Sequence, residues 1–132
     1  PANSVKKLKL GSLELQIHCT PGHSPGHVSI VGHGSIIAGD LLFLGRCGRT
    51  DLYGGNKLSM YNSLMYFRKH LLELPGKWLV FPGHQYPLDD GSNPVVTLKQ
   101  EPFTIDTIKG YAYYGGEEKA SAFFALILCS LL

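Results

Sequence analysis

The chain has 132 residues, of which 12 are Lys or Arg and 10 are Asp or Glu, so its formal net charge is +2. This length corresponds to one domain, and 44% hydrophobic with 17% charged residues excludes a disordered, collagen-like or coiled-coil chain. The small charge surplus, with no long run of Lys or Arg, argues against nucleic acid as a partner.

The cysteine count and the chain termini bear on the compartment. Three cysteines are too few for a disulfide framework and fit a reducing compartment, which predicts the cytoplasm or the mitochondrion. The first residues lack the apolar core of a signal peptide. The apolar stretch 122–129 is well short of the roughly 20 residues that span a bilayer, so we expect no membrane partner.

The first third of the chain predicts strands joined by turns. Residues Leu8–Ile17 alternate apolar and polar side chains, as a half-buried strand does. The Pro- and Gly-rich segment Thr20–Gly26 predicts a loop. Two short strands, Val28–Val31 and Ser35–Ala38, then form a hairpin around Gly32–Gly34.

The middle of the chain predicts a loop, a helix and a further strand. The loop Leu41–Gly55 is long for a compact domain, and such loops are usually functional. Apolar residues at helical spacing predict a helix over Asn56–Leu74, with Asn56 as the N-cap and Pro75–Gly76 as the stop. Trp78–Phe81 predicts a strand, and the elements together predict an α/β domain.

Histidines cluster in the first part of the chain, where four of the six fall within residues 18–33. If the strands pair as antiparallel neighbours, the loop with His23 lies at the same sheet end as Asp40, and His33 lies at the opposite end. His84 also follows a strand directly. Two imidazoles and a carboxylate at one rim are suitable ligands for zinc or iron.

Other interpretations of these residues stay open at this point. A histidine in a turn is usually solvated or a cap, and Asp after Gly is a common turn residue. The residues Cys19, His23 and His27 suit a structural zinc knuckle, but no second Cys/His pair supplies a fourth ligand at finger spacing.

Four motifs in order resemble the second half of a metallo-β-lactamase-fold hydrolase, most closely its glyoxalase II and persulfide dioxygenase branches. The motifs are Thr20-Pro-Gly-His23-Ser-Pro-Gly-His27, Gly39-Asp40, Cys47-Gly-Arg-Thr-Asp51 with Gly54-Gly55, and Phe81-Pro-Gly-His84. The resemblance implies that residues 1–104 form the C-terminal half of an αββα sandwich. Residues 105–132 would form a tail, which we expect to be a terminal helix, and its apolar part after residue 116 is unlike the family's usual ending.

The resemblance also implies roles for single residues. His23 would bind one metal ion, His84 another, and Asp40 would bridge both and orient the attacking water. His27 would support the ligands rather than bind metal. The substrate-binding residues would be Cys47, Arg49 and Tyr53, with the basic side chain of Arg49 holding a glutathione carboxylate.

One family motif is absent from the chain. The family's His-x-His-x-Asp-His has no counterpart, and His-x-His occurs nowhere in the sequence. The first half of the sandwich would precede residue 1, so neither metal ion has three protein ligands here. We therefore expect weak metal binding and almost no activity from the isolated chain.

The resemblance leaves three functions to compare. The first is a two-zinc hydrolase of a glutathione thioester such as hydroxyacylglutathione. The second is a persulfide dioxygenase with one iron ion. The motif Cys47–Asp51 resembles the dioxygenase branch more, whereas the motif Pro82–His84 resembles the two-metal hydrolases more. The third is a non-catalytic half-domain whose uncovered sheet face pairs with its missing half or in a homodimer.

Overall fold

The structure is a computed structural model that describes residues 4–43, 47–70, 73–84 and 103–104. These residues form one six-stranded sheet, with the strands side by side in chain order, and one helix. The elements are β1 (Val5–Leu10), β2 (Leu13–Cys19), β3 (Val28–Gly32), β4 (Ser35–Gly39), α1 (Lys57–His70), β5 (Leu79–Pro82) and β6 (Phe103–Thr104). The predicted α/β class is confirmed.

The single strand predicted over Leu8–Ile17 is wrong, because a tight turn divides this segment into the hairpin of β1 and β2. Leu10 pairs with Leu13 across the turn, and Gly11 takes a φ of 62° at the first turn position. A positive φ there is what glycine permits in a two-residue hairpin. Each half of the segment alternates by itself, but the apolar positions change from even to odd numbers across the turn, a shift that the single-strand interpretation overlooked.

The hairpin predicted around Gly32–Gly34 is confirmed as β3 and β4. Gly32 pairs with Ser35, which leaves His33 and Gly34 as the two turn residues, with φ values of 48° and 75°. Two consecutive positive φ values match the right-handed twist of the flanking strands. His33 therefore lies at the sheet end opposite Asp40, as predicted.

Helix α1 begins where the sequence predicts. The Asn56 side chain accepts a hydrogen bond from the Ser59 N–H (2.8 Å), as an N-cap does. The last described helical residue is His70, and residues 73 and 74 lie in a turn. The predicted helix end at Leu74 is therefore wrong, since the residue before a proline disfavours helical backbone.

The core lies between α1 and one face of the sheet. Its fully buried members on the helix are Met60, Leu64 and Phe67. They form one cluster with buried strand residues Val31, Ile36, Ala38 and Val80. The helix thus covers the middle strands and leaves all of β1 exposed.

Strand β5 pairs parallel to β4, so both strands end at the same edge of the sheet. The pairing aligns Ile36 with Val80 and Gly39 with Pro82. Asp40 follows β4 and His84 comes shortly after β5, so the parallel register brings these two residues together from distant parts of the chain.

The opposite face of the sheet is apolar and exposed in the described part of the chain. Its centre is a row of cross-strand neighbours in which Ile17 pairs with Ile30, Ile30 with Ile37, and Ile37 with Phe81. Ile37 is 50% exposed, whereas the adjacent Ile36, on the helix side, is 0% exposed. Sheets that are apolar on both faces are normally covered on both.

The tail predicted over residues 105–132 lies outside the described residues, and the proposed division at residue 104 stays a prediction. In the part of the chain that the structure describes, no helix has the length and apolar character needed to cross a membrane.

Candidate metal centre

The structure brings the three predicted ligands together around the carboxylate of Asp40. The His23 Nε2 atom lies 3.0 Å from Asp40 Oδ2, and the His84 Nε2 atom lies 3.5 Å from Asp40 Oδ1. Each carboxylate oxygen therefore faces a different imidazole. The side chains of His23 and Asp40 are 24% and 19% exposed, and that of His84 is 58% exposed.

Tight backbone packing brings His84 close to Asp40. The Gly83 N–H donates to the Gly39 carbonyl (2.8 Å), which continues the pairing of β4 and β5 past the end of the strands. A Cβ atom on Gly83 would overlap Asp40 Oδ1. Glycine is therefore required at this position, which explains its place in the Pro-Gly-His motif. The ring of His84 also packs edge-on against Phe43, with 5.7 Å between ring centroids.

The tautomer of His23 follows from its second contact. The Nδ1 atom lies 2.8 Å from the backbone carbonyl of Arg49, and a carbonyl can only accept, so Nδ1 carries a proton. The neutral ring then presents the lone pair of Nε2 to the Asp40 carboxylate, which also has only acceptor atoms. Such a contact is stable with a cation beside both groups or with a second proton on the ring.

The donor spacing fits a metal ion. Two ligands bonded to one tetrahedral zinc at about 2.1 Å lie about 3.4 Å apart, close to the separations of 3.0 and 3.5 Å observed here. Within the described ranges, no three His, Cys, Asp or Glu side chains are placed to hold one ion together. The geometry is that of two pairs of donors that share one carboxylate.

His27 contacts the backbone of Asp40 and not its carboxylate, so it is not one of the candidate metal ligands. Its Nε2 atom accepts a hydrogen bond from the Asp40 backbone N–H (3.0 Å), and its Nδ1 atom donates to the Thr20 carbonyl (3.0 Å). Burial lowers the pKa of His27, although the Thr20 carbonyl and the charge of Asp40 act in the opposite direction. A neutral ring with both nitrogens engaged has no lone pair left for a metal.

The predicted substrate loop lies beside His23. The guanidinium of Arg49 forms two hydrogen bonds with Asp51 (2.7 and 2.8 Å), and this pairing lowers the pKa of Asp51 to about 2. Tyr53 is fully exposed. Cys47 packs against the core, and burial raises the pKa of its thiol to about 11, so the thiol is neutral at physiological pH.

His18 shows that the histidine cluster is not one site. It lies on β2 beneath α1, where its Nδ1 atom is 2.8 Å from the Tyr66 hydroxyl and its Nε2 atom is 3.1 Å from Gln16 Oε1. The predictions from sequence missed two buried hydroxyls near the site, Thr20 and Ser29. The sequence could have indicated Thr20 as a residue near the site, because Thr20 begins the first of the four motifs.

Comparison with known proteins gives the family context of this geometry. The sequence profile of the metallo-beta-lactamase superfamily matches residues 4–84, about three fifths of the chain.

Two curated relatives each match more than half of the chain. The chain is 41% identical over 90 residues to a hydroxyacylglutathione hydrolase of Tolumonas auensis, which covers 68% of the chain and 32% of that protein. It is 35% identical over 81 residues to the mitochondrial persulfide dioxygenase ETHE1 of Homo sapiens, with 60% and 31% covered. The chain thus spans about a third of the length of these relatives.

Two solved structures share the fold. ETHE1 from Myxococcus xanthus superimposes with a TM-score of 0.61 at 26% identity, over 95% of this chain and 50% of that one. A structure of TTHA1623 in a di-iron-bound form superimposes with a TM-score of 0.53 at 32% identity, over 77% and 42% of the two chains.

Proposed function

The chain belongs to the metallo-beta-lactamase superfamily, and from this premise we propose that it carries part of the metal centre of a hydrolase acting on glutathione thioesters such as hydroxyacylglutathione. One observation supports this most directly: the two oxygens of Asp40 face two different imidazoles at 3.0 and 3.5 Å. This is the arrangement expected of a carboxylate that bridges two cations.

The residues of the site have separate tasks in this proposal. His23 and His84 each offer an Nε2 lone pair to one ion, and Asp40 offers one oxygen to each. A pair of zinc ions bound there would activate a shared water at neutral pH and polarise the thioester carbonyl. The Arg49 carbonyl holds the His23 ring in the tautomer that keeps Nε2 available.

The described residues supply only two ligands for each of the two ions, which supports the expectation that this chain alone binds metal weakly. We expect its thioesterase rate to be close to that of the uncatalysed reaction, because water would replace fixed ligands. Hydrolysis of a hydroxyacylglutathione by the purified chain, at a rate near that of the full-length relatives, would contradict this expectation.

The loop beside His23 supports a site for the glutathione part of the substrate. The Arg49 guanidinium matches a carboxylate in two-point geometry, and it already makes such a pair with Asp51. A substrate carboxylate would displace Asp51 from the Arg49 guanidinium or bind the guanidinium together with Asp51. The exposed Tyr53 lies four residues further along the same loop, and the neutral Cys47 would contribute an apolar contact rather than a nucleophile.

The second candidate is persulfide dioxygenation with one iron ion. One feature favours it: His23 and Asp40 are closer together and less exposed than His84 and Asp40. That pair would provide two of the three ligands of a single Fe(II), with the third from elsewhere. The number of ions bound separates the two candidates.

Titration with excess Co(II), followed by its visible absorbance to the end point so that the number of bound ions is counted at equilibrium, tests the proposal. We expect wild-type chain to bind Co(II), and Asp40→Asn to bind at least about 10-fold more weakly because a shared charged ligand is lost. His33→Asn, at the other end of the sheet, is the matched control and should bind like wild type. Two ions per chain support the hydrolase and one supports the dioxygenase, whereas equal binding by D40N contradicts both.

The exposed sheet face supports the third candidate role, pairing with a further sheet. Ile37 is 50% exposed on this face, and its cross-strand neighbours Ile30 and Phe81 are apolar. Leu79 on the same face is 37% exposed. We infer that this face is covered in the working protein, by the remainder of a longer chain or by a second copy. Ile37→Glu should turn any association seen in size-exclusion chromatography into monomer. A wild-type chain that is monomeric and binds no hydrophobic dye would contradict the inference.

A further inference from the structure

A run of hydrogen bonds starts at the backbone N–H of Asp40, just after β4, and ends at the carbonyl of Ala38 on β4. The Asp40 N–H donates to His27 Nε2 (3.0 Å), and His27 Nδ1 lies 3.0 Å from the Thr20 carbonyl and 2.9 Å from Thr20 Oγ1. Thr20 Oγ1 is 3.1 Å from Ser29 Oγ, which donates to the Ala38 carbonyl (3.3 Å). Both hydroxyl-bearing residues, Thr20 and Ser29, are fully buried.

The two ends of this run determine the direction of every proton in it. A backbone N–H can only donate and a carbonyl can only accept, so the protons point from Asp40 toward Ala38. His27 must then carry its proton on Nδ1 and leave Nε2 as an acceptor. A proton on Nε2 would point at the Asp40 N–H and break the first bond.

We propose that His27 is a positioning residue, which holds the peptide of Asp40 so that the carboxylate stays between the imidazoles of His23 and His84. This inference rests on the proposed metal centre and assigns a task to a residue outside the ligand set. The Thr20 carbonyl, which can only accept, keeps the proton of His27 on Nδ1, and the Thr20 and Ser29 hydroxyls pass the same direction on to the Ala38 carbonyl.

The backbone around Asp40 depends on this contact. Its carbonyl accepts from the Gly48 N–H (3.0 Å), so both polar groups of its backbone are held, the N–H by a side chain and the carbonyl by main chain. The preceding Gly39 has a φ of 56°, and a Cβ there would lie 2.8 Å from His27 Nε2. The imidazole thus occupies the space that a side chain at position 39 would need.

Two substitutions test the roles of the two ring nitrogens of His27 separately. Gln places a polar atom about as far out as Nε2 and retains an acceptor for the Asp40 N–H. Asn places one near Nδ1 and retains only the donor to Thr20. The control is Ser63→Ala, which removes a buried hydrogen bond to the Pro21 carbonyl (2.7 Å) beside Thr20 without touching Asp40.

Two measurements on each variant test the inference, namely Co(II) affinity by titration and hydrogen exchange of the Asp40 amide by NMR. We expect His27→Asn to weaken Co(II) binding about 10-fold or more and to speed exchange at Asp40. His27→Gln and Ser63→Ala should stay close to wild type in both. A loss of global stability shared by H27N and S63A would then not account for the difference in metal binding.

The outcomes distinguish this inference from the proposed function. If wild type binds Co(II) and H27N binds it equally well, the positioning role is wrong and the metal centre stands. If wild type binds no Co(II), the metal centre is wrong, and unchanged exchange at Asp40 in H27N would show that His27 does not hold the peptide either. Faster exchange of the Asp40 amide in H27N, but not in H27Q or S63A, would support the role of His27 in holding this peptide.

Discussion

The two faces of the sheet have similar side chains and very different surroundings. On the face beneath α1, Ile36, Ala38 and Val80 are completely buried. On the other face, Ile37 and Leu79 alternate with them along the same strands and stay substantially exposed. The chemistry of the side chains therefore does not decide which face is covered. What decides it in the described residues is the position of the one helix.

This difference indicates what each face contributes to stability. Burial of apolar surface stabilises only where water is removed, at about 25 cal/mol per Å². The helix-covered face thus supplies the hydrophobic stabilisation of the described fold. The apolar surface of the exposed face would stabilise the fold only if another sheet or chain buried it.

The largest effect is expected from a matched pair of adjacent isoleucines. Ile36→Ala should lower the free energy of unfolding by about 2–5 kcal/mol, because it leaves a cavity under α1. Ile37→Ala should lower it by about 1 kcal/mol or less in dilute solution, because this side chain already contacts water. Urea denaturation measures both values. Equal losses at all protein concentrations would mean that both faces are covered.

The next effect concerns the helix that covers the face. Asn56→Ala should lower the free energy of unfolding by about 1 kcal/mol, since it removes the acceptor for the Ser59 N–H. Asn56→Asp is the control, because its carboxylate accepts the same hydrogen bond. Thermal unfolding followed by circular dichroism compares them. If Asn56→Asp is destabilised as much as Asn56→Ala, capping is not the cause.

A pH effect should originate from the covered face at His18. Burial, and then the charge of His70, lower the pKa of His18, so its neutral form is favoured in the folded state. Stability from this group is present above the ordinary histidine pKa of about 6.5 and is lost as the pH falls through the lowered value. The facing groups are Tyr66 and His70 on α1 and Gln16 on β2.

Urea denaturation at several pH values checks this expectation. The difference in unfolding free energy between wild type and His18→Gln should shrink as the pH drops below 6.5, since the variant has no imidazole to protonate. A difference that is constant over this range would show that His18 titrates alike in the folded and unfolded chain.

The smallest effect is expected at the outer edge of the sheet, which α1 does not reach. Lys7 and Glu14 form an ion pair across β1 and β2 (2.9 Å), and both side chains are largely exposed. Lys7→Ala should leave the free energy of unfolding unchanged within error, because water and salt screen such pairs. Measurements at low and high salt check this. A clear, salt-dependent loss would mean that this edge is less exposed than its geometry indicates.

Local patterns predicted most of the elements. The N-cap Asn56, the hairpin at His33–Gly34 and the strand before His84 each follow from chemistry within a few residues. The divided strand at Gly11 was missed because each half alternates by itself, although the apolar positions shift by one residue across the two-residue turn. The parallel pairing of β4 with β5 was not predicted, since no short segment records which distant strand lies alongside.

The candidate site was predicted in part for the same reason. Spacing and the four motifs indicated His23, Asp40 and His84, but they could not indicate how the two carboxylate oxygens divide between the imidazoles. The four clustered histidines look alike in sequence. Contacts separate them into His23 at the carboxylate, His27 on a backbone N–H, His18 beneath the helix and His33 in a turn.

The parallel register of β4 and β5 has a consequence for how the molecule forms. Asp40 and His84 meet only after the helix between them has docked and β5 has aligned, and contacts of such high sequence separation form slowly. During synthesis, the segment up to Gly39 can pair as local hairpins while the ribosome still covers the later strand. The proposed pair of Asp40 and His84 is therefore completed late in folding, when the hairpins already exist.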